Sequence, residues 1–138
     1  MDWKLELVLV PVTDVDRAKE FYVDRLGFRL DVDHQPSDAF RVVQVTPPGS
    51  ACSISFGKGL GDGEPGSAKG VHLVVTDIQE ALAHLAANGI DNRGVHHFGP
   101  EGLTPGPDPE DRDYGSYIFF DDPDGNSFAV QQVKRPVR

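Results

Sequence analysis

The chain has 138 residues, a formal net charge of −9 and one cysteine, and 38% of its residues are hydrophobic. This length fits one compact domain or two small halves that share a core, and the composition excludes wholesale disorder. The longest nearly apolar run, residues 7–12, is too short to cross a bilayer, and the excess of acidic side chains argues against nucleic acid as a partner. No secretory leader is predicted and Cys52 has no disulfide partner, so we expect a cytoplasmic protein without membrane association.

The first half of the chain predicts a strand, a helix and three further strands. Thr13 and Asp16 are typical of a helix start, an apolar stripe follows at helical spacing, and Gly27 ends the helix. The predicted strands are Leu5–Pro11, Phe28–Val32, Phe40–Thr46 and Cys52–Phe56. Trp3, ahead of the first strand, could pack on a sheet edge or form a dimer contact. The glycine-rich stretch Gly57–Gly70 is predicted to be a linker.

The second half repeats this order, so the sequence indicates a duplication. Thr76 and Gln79 predict a capping box at the start of the helix, and Gly89 ends it. The predicted strands are Val71–Val75, Asp91–His96, Tyr117–Phe120 and Ser127–Val133. Residues 99–115, rich in proline and carboxylates, are long for a connection and are interpreted either as a functional lid or as an insert.

The segment Val12–Ala18, with Phe21, Tyr22 and Leu26–Phe28, resembles the first-module signature of the vicinal oxygen chelate superfamily. This superfamily contains glyoxalase I, extradiol dioxygenases and the fosfomycin- and bleomycin-resistance proteins. Asp122–Asn126 resembles its last-strand turn.

The resemblance implies an α+β fold in a single domain, 1–138. Two βαβββ modules, residues 4–57 and 70–134, would form a cup-shaped half-barrel that holds a small molecule. It also implies a homodimer. Members that are enzymes usually hold a divalent metal in the cup.

The resemblance also locates the superfamily's metal-ligand positions in this sequence, and they match Leu7, Ser53, Gly70 and Ala129. Only Ser53 carries a side-chain oxygen, whereas such metals need imidazole or carboxylate groups. We therefore predict that the protein has no metal and no other cofactor.

Six residues are candidates for ligand binding. On the strand pattern, His72 and Gln131 follow the missing ligands by two residues and would face the cup, as would Ser55 after Ser53. Phe98 and Tyr114 flank the long loop, where function concentrates. The predicted ligand-binding residues are Ser53, Ser55, His72, Phe98, Tyr114 and Gln131.

Three functions follow from this pattern. The first is a protein that binds a small organic ligand, aromatic or cationic, in the cup without a metal. The second is a metal-dependent lyase or dioxygenase with displaced ligands such as His72, His97 and Glu101. The third is a metal-free isomerase in which His72 is the catalytic acid–base group.

Overall fold

The structure is a computed structural model that describes residues 1–135, and it divides into two compact units. The first unit comprises Met1–Ala68 together with Asp122–Asn126, and the second comprises Lys69–Asp121 together with the residues from Ser127 onward. Each unit contains one β-sheet. In the described residues no helix is both long enough and apolar enough to span a membrane.

The first unit contains a four-stranded sheet in the order β1-β4-β3-β2, in which β1 runs parallel to β4 and the other pairs are antiparallel. The strands are β1 (Leu7–Leu9), β2 (Arg29–Ser37), β3 (Phe40–Thr46) and β4 (Ser53–Lys58). Helix α1 (Val15–Lys19) continues as a π-helical segment, Glu20–Arg25. Tyr22 of that segment stacks on Phe56 of β4 with 5.2 Å between the ring centres, so the helical side of this sheet is the buried core.

The second unit contains a five-stranded sheet in the order β5-β9-β8-β6-β7 and one helix, α2 (Ile78–Ala87). The strands are β5 (Val71–Val75), β6 (His96–Gly99), β7 (Gly102–Pro105), β8 (Ser116–Asp121) and β9 (Ser127–Gln132). The α+β class is confirmed, and the second unit has one strand, β7, more than predicted.

The strand predicted at Asp91–His96 is wrong, because a local turn occupies most of it. The Asn92 side chain donates to the Ile90 carbonyl and accepts from the Gly94 amide, and Gly94 adopts a positive φ of 78°. These local bonds compete with strand pairing. Strand β6 therefore begins at His96, and β7 makes part of the supposedly irregular stretch 99–115 a regular hairpin.

Both helix starts differ from the prediction by one residue. Asp14 and Asp77 are the N-caps: the Asp14 carboxylate accepts from the Arg17 amide, and the Asp77 carboxylate accepts from those of Gln79 and Glu80. The Thr13 hydroxyl instead donates to Asp124 at 2.7 Å and accepts from the Arg17 guanidinium at 3.2 Å. The carboxylates also suit the positive end of the helix dipole.

The turn Asp122–Asn126 is held in the first unit by a buried polar network. The Asp122 carboxylate accepts from the Tyr22 hydroxyl and the Asn126 side-chain amide, both at 2.7 Å, and from the backbone amides of Asp124 and Asn126. The Asn126 amide also donates to the Pro11 carbonyl at 2.7 Å. Burial first, and then the Asp122 charge, raise the pKa of Tyr22 well above its usual range, so Tyr22 remains a neutral donor.

Candidate functional site

One face of the five-stranded sheet is open in the second unit. Register places Tyr117 beside both His96 and Gln131, and Phe119 beside Ala129, so these side chains share a face. The opposite face carries buried Ile118, Phe120, Phe128 and Val130. We call the face that carries Tyr117 the second open face, because it belongs to the second unit. It carries His72, Val74, His96, Phe98, Leu103, Tyr117, Phe119 and Gln131.

Three aromatic side chains form a continuous row across this face, here called the aromatic row. Phe98 meets Tyr117 edge to face with 5.2 Å between ring centres, and Tyr117 stacks on Phe119 at 5.8 Å. Phe98 remains 56% exposed. Such a row offers a flat molecule both ring faces and ring edges.

Tyr117 also provides an oriented polar group on the aromatic row. Its hydroxyl oxygen accepts a 3.1 Å hydrogen bond from the Gln131 side-chain amide. Because this oxygen accepts from Gln131, its own proton is left for an acceptor on a ligand. Gln131 thus acts through Tyr117 and also lies on the predicted face.

His72 lies exposed on the same face, next to Ala129 on β9. Its Nδ1 is 2.6 Å from the Gly70 carbonyl oxygen, which can only accept, so Nδ1 carries the proton in the neutral ring. The lone pair then lies on Nε2. The arrangement therefore offers a basic nitrogen that could accept a proton from a bound molecule.

Ser53 and Ser55 lie on the face of the four-stranded sheet that is away from α1, and both are buried. Ser53 bonds to Thr46 at 2.7 Å and accepts from the Gln44 amide at 3.2 Å, and Thr46 in turn donates to Asp31. The hydrogen bond from Thr46, more than the one from Arg29, lowers the pKa of Asp31. A carboxylate only accepts, so the chain of protons runs from Ser53 through Thr46 to Asp31.

The Ser55 hydroxyl donates to the Val43 carbonyl at 3.0 Å. Both serine protons are therefore used inside the sheet. Only an oxygen lone pair could meet a ligand at either position.

Tyr114 lies in the loop before β8, where its backbone adopts a positive φ of 62°. The Arg135 guanidinium lies 5.8 Å from the centre of its ring. The backbone amide of Tyr114 donates to the Gln132 carbonyl at 2.8 Å, and none of the contacts described for Tyr114 joins it to the aromatic row that contains Phe98.

Most carboxylates of the 99–115 loop are engaged within the second unit. Asp108 is buried, and the Arg112 guanidinium, through its hydrogen bond, holds the pKa of that carboxyl well below its usual range. Asp111 pairs with Lys134, and Asp113 with Arg135. Most of the loop's negative charge is thus compensated by the protein's own cations.

The superfamily's metal does not fit the residues at its usual positions. Leu7, Gly70 and Ala129 offer no side-chain donor, and the Ser53 hydroxyl is tied into the chain to Asp31. Across residues 1–135 no three His, Cys, Asp or Glu side chains are grouped so that they could hold an ion. The two histidines considered as displaced ligands, His72 and His97, lie on opposite faces of their sheet. His97 pairs with Ser116, which alternates with Tyr117, whereas His72 is on the same face as Tyr117.

The first unit contains a cavity of about 410 Å³ that the sequence did not predict. It lies between the ends of β1 and β4 and the segment Gly57–Gly63, and its apolar wall includes Leu9, Phe56 and Leu60. At Gly57 a Cβ would lie 1.9 Å from the Arg41 carbonyl oxygen, so only glycine fits there. Part of the predicted linker is therefore a structured wall of this cavity.

The sequence matches a model of the Glyoxalase/Bleomycin resistance protein/Dioxygenase superfamily over residues 4–130. The chain belongs to this superfamily. The resemblance found in the sequence is thereby confirmed.

Solved structures of superfamily members share this fold. The chain is 32% identical to TnmS3, an antibiotic binding protein from Streptomyces sp. CB03234, with a TM-score of 0.72 and 95% and 96% of the two chains covered. A superfamily member from Sphaerobacter thermophilus is 28% identical, with a TM-score of 0.73 and coverage of 96% and 98%. The uncharacterized protein YetH of Bacillus subtilis is 23% identical over 91% of this chain and 94% of its own length.

Sequence reasoning did not select five residues of the second open face as site residues: Val74, His96, Leu103, Tyr117 and Phe119. Tyr117 and Phe119 alternate with Ile118 and Phe120, so β8 is apolar on both faces. Periodicity cannot then tell which face is the core. Leu103 belongs to the unpredicted strand β7.

Proposed function

We propose that this superfamily member binds a small, largely aromatic organic molecule on the second open face and sequesters it without the superfamily's usual metal. The observation that carries this proposal is the aromatic row of Phe98, Tyr117 and Phe119 on an open sheet face. The likeness to an antibiotic binding protein at 32% identity supports a small-molecule ligand. Exposed apolar side chains at Val74 and Leu103 extend the contact area around the row.

The binding energy in this proposal comes from apolar contact and one directed hydrogen bond. Removing apolar surface from water contributes about 25 cal/mol per Å², and each well-placed ring pair adds roughly 0.5–1.5 kcal/mol. The Tyr117 hydroxyl would then orient a ligand that carries an acceptor such as a carbonyl oxygen. The net charge of −9 favours a cationic aromatic over an anionic one of the same shape.

A fluorescence titration with proflavine, a planar cationic dye, tests the proposal. We expect saturable binding at one site per chain, with a dissociation constant in the micromolar range and weaker binding as salt is raised. Protein dialysed against a chelator should bind equally well. Absence of saturable binding by proflavine and by a panel of neutral aromatic antibiotics would contradict the proposal.

We further infer that the protein acts as a cytoplasmic homodimer. The resemblance of the sequence to its superfamily supports the dimer, and the lone cysteine, Cys52, suits a reducing compartment.

A further inference from the structure

The segment before β1, residues 1–6, exposes large apolar side chains in the described structure. Trp3 is 85% exposed and Leu5 is 72% exposed, and Leu9 in β1 is 47% exposed. An isolated exposed leucine is ordinary, but a tryptophan and leucines in succession indicate a surface that a partner covers. We call residues 1–6 the leading segment.

The leading segment continues the alternation of β1. Trp3, Leu5 and Leu7 alternate with Lys4 and Glu6, which is typical of a strand with one apolar face. Strand β1 is an edge of its sheet and has one strand neighbour, β4, among residues 1–135. Unpaired edges of this kind are templates for adding another strand.

The backbone bonds to β4 fix which residues face the free edge of β1. The Glu6 carbonyl accepts from the Ser53 amide, and the Val10 amide donates to the Ser55 carbonyl, both at 2.9 Å. Even-numbered residues thus direct their backbone groups toward β4. By alternation, Trp3, Leu5 and Leu7 would direct theirs toward the free edge.

We propose that this edge pairs with the same edge of a second copy of the chain, antiparallel and centred on Leu5. In that register Leu5 meets its own copy and Trp3 meets Leu7, which are the residues with free backbone groups. Lys4 and Glu6 form the intervening pairs, so the two copies bring opposite charges together on one face and apolar side chains on the other. The chain is self-complementary in this register, as a two-fold interface requires.

This inference rests on the proposed homodimer and names its surface. Sedimentation velocity over a range of concentrations tests it with charge-reversed variants. Lys4→Glu and Glu6→Lys should each weaken dimerisation roughly tenfold or more, because each places like charges opposite one another twice across the axis. The double variant restores opposite charges and should dimerise nearly as well as the wild type. Asp38→Lys is the matched control, because it reverses the charge of an exposed side chain in the turn between β2 and β3. It should have no effect on dimerisation.

The outcomes separate the two claims. A dimer that neither single variant weakens would overturn this surface while the proposed homodimer stands. Single variants that weaken the dimer without recovery in the double variant would also overturn the register. A monomeric wild type would overturn both.

Discussion

Replacing Asp122 by alanine is expected to lower the free energy of unfolding by roughly 3–5 kcal/mol. The Asp122 carboxylate is 5% exposed and is the shared acceptor for the Tyr22 hydroxyl, the Asn126 side chain and two backbone amides. Its removal leaves buried donors without an acceptor, and each such donor costs about 1–3 kcal/mol. Urea denaturation monitored by far-UV circular dichroism measures the change in the free energy of unfolding.

Asp121→Ala is the matched control for this prediction, since the neighbouring carboxylate is exposed. It should change stability by less than about 0.5 kcal/mol. Tyr22→Phe removes one donor and leaves Asp122 three others, so its loss should be smaller, about 1–2 kcal/mol. If Asp122→Ala cost no more than Asp121→Ala, the buried network would not be what holds the turn.

Replacing Phe98 by alanine should weaken proflavine binding about tenfold to thirtyfold, which corresponds to roughly 1.5–2 kcal/mol of lost ring contact. Phe98 is 56% exposed, so its removal should leave the fold intact. The change should appear as a raised dissociation constant in the fluorescence titration, with the free energy of unfolding nearly unchanged.

Phe40→Ala provides the control, because Phe40 is also an exposed phenylalanine, at 38%, but belongs to the sheet of the first unit. It should bind proflavine like the wild type. Equal weakening in both variants, or none in Phe98→Ala, would remove the aromatic row as the ligand site.

Strands with a single apolar pattern and clear turns could be predicted from the sequence. The strands Phe40–Thr46 and Val71–Val75 have the predicted bounds, and the superfamily fold was implied by the resemblance of the Val12–Ala18 segment and the Asp122–Asn126 turn. The turn at Asn92 and Gly94 was missed because the side-chain bonds of Asn92 outweigh the strand propensity of its neighbours. The cap of the first helix was misplaced because the Thr13 hydroxyl is directed to Asp124, a distant partner that no local pattern reveals, while Asp14 accepts from the Arg17 amide.

The candidate site could be predicted only in part. Alternation placed His72 and Gln131 on one face, and register in the sheet agrees. It did not identify Tyr117 or Phe119, because which face of β8 lies open depends on where α2 packs. The hydrogen-bond direction at Ser53 likewise depends on Asp31, a residue of another strand.

The most direct test of a ligand on the second open face is an NMR titration, in which proflavine is added to the ¹⁵N-labelled protein and the backbone amide chemical shifts are followed. The largest shifts should fall on Val74, Phe98, Tyr117, Phe119 and Gln131, which lie on four neighbouring strands of one sheet. Shifts concentrated instead around the first-unit cavity at Leu9 and Leu60, or absent throughout, would contradict a site on this face.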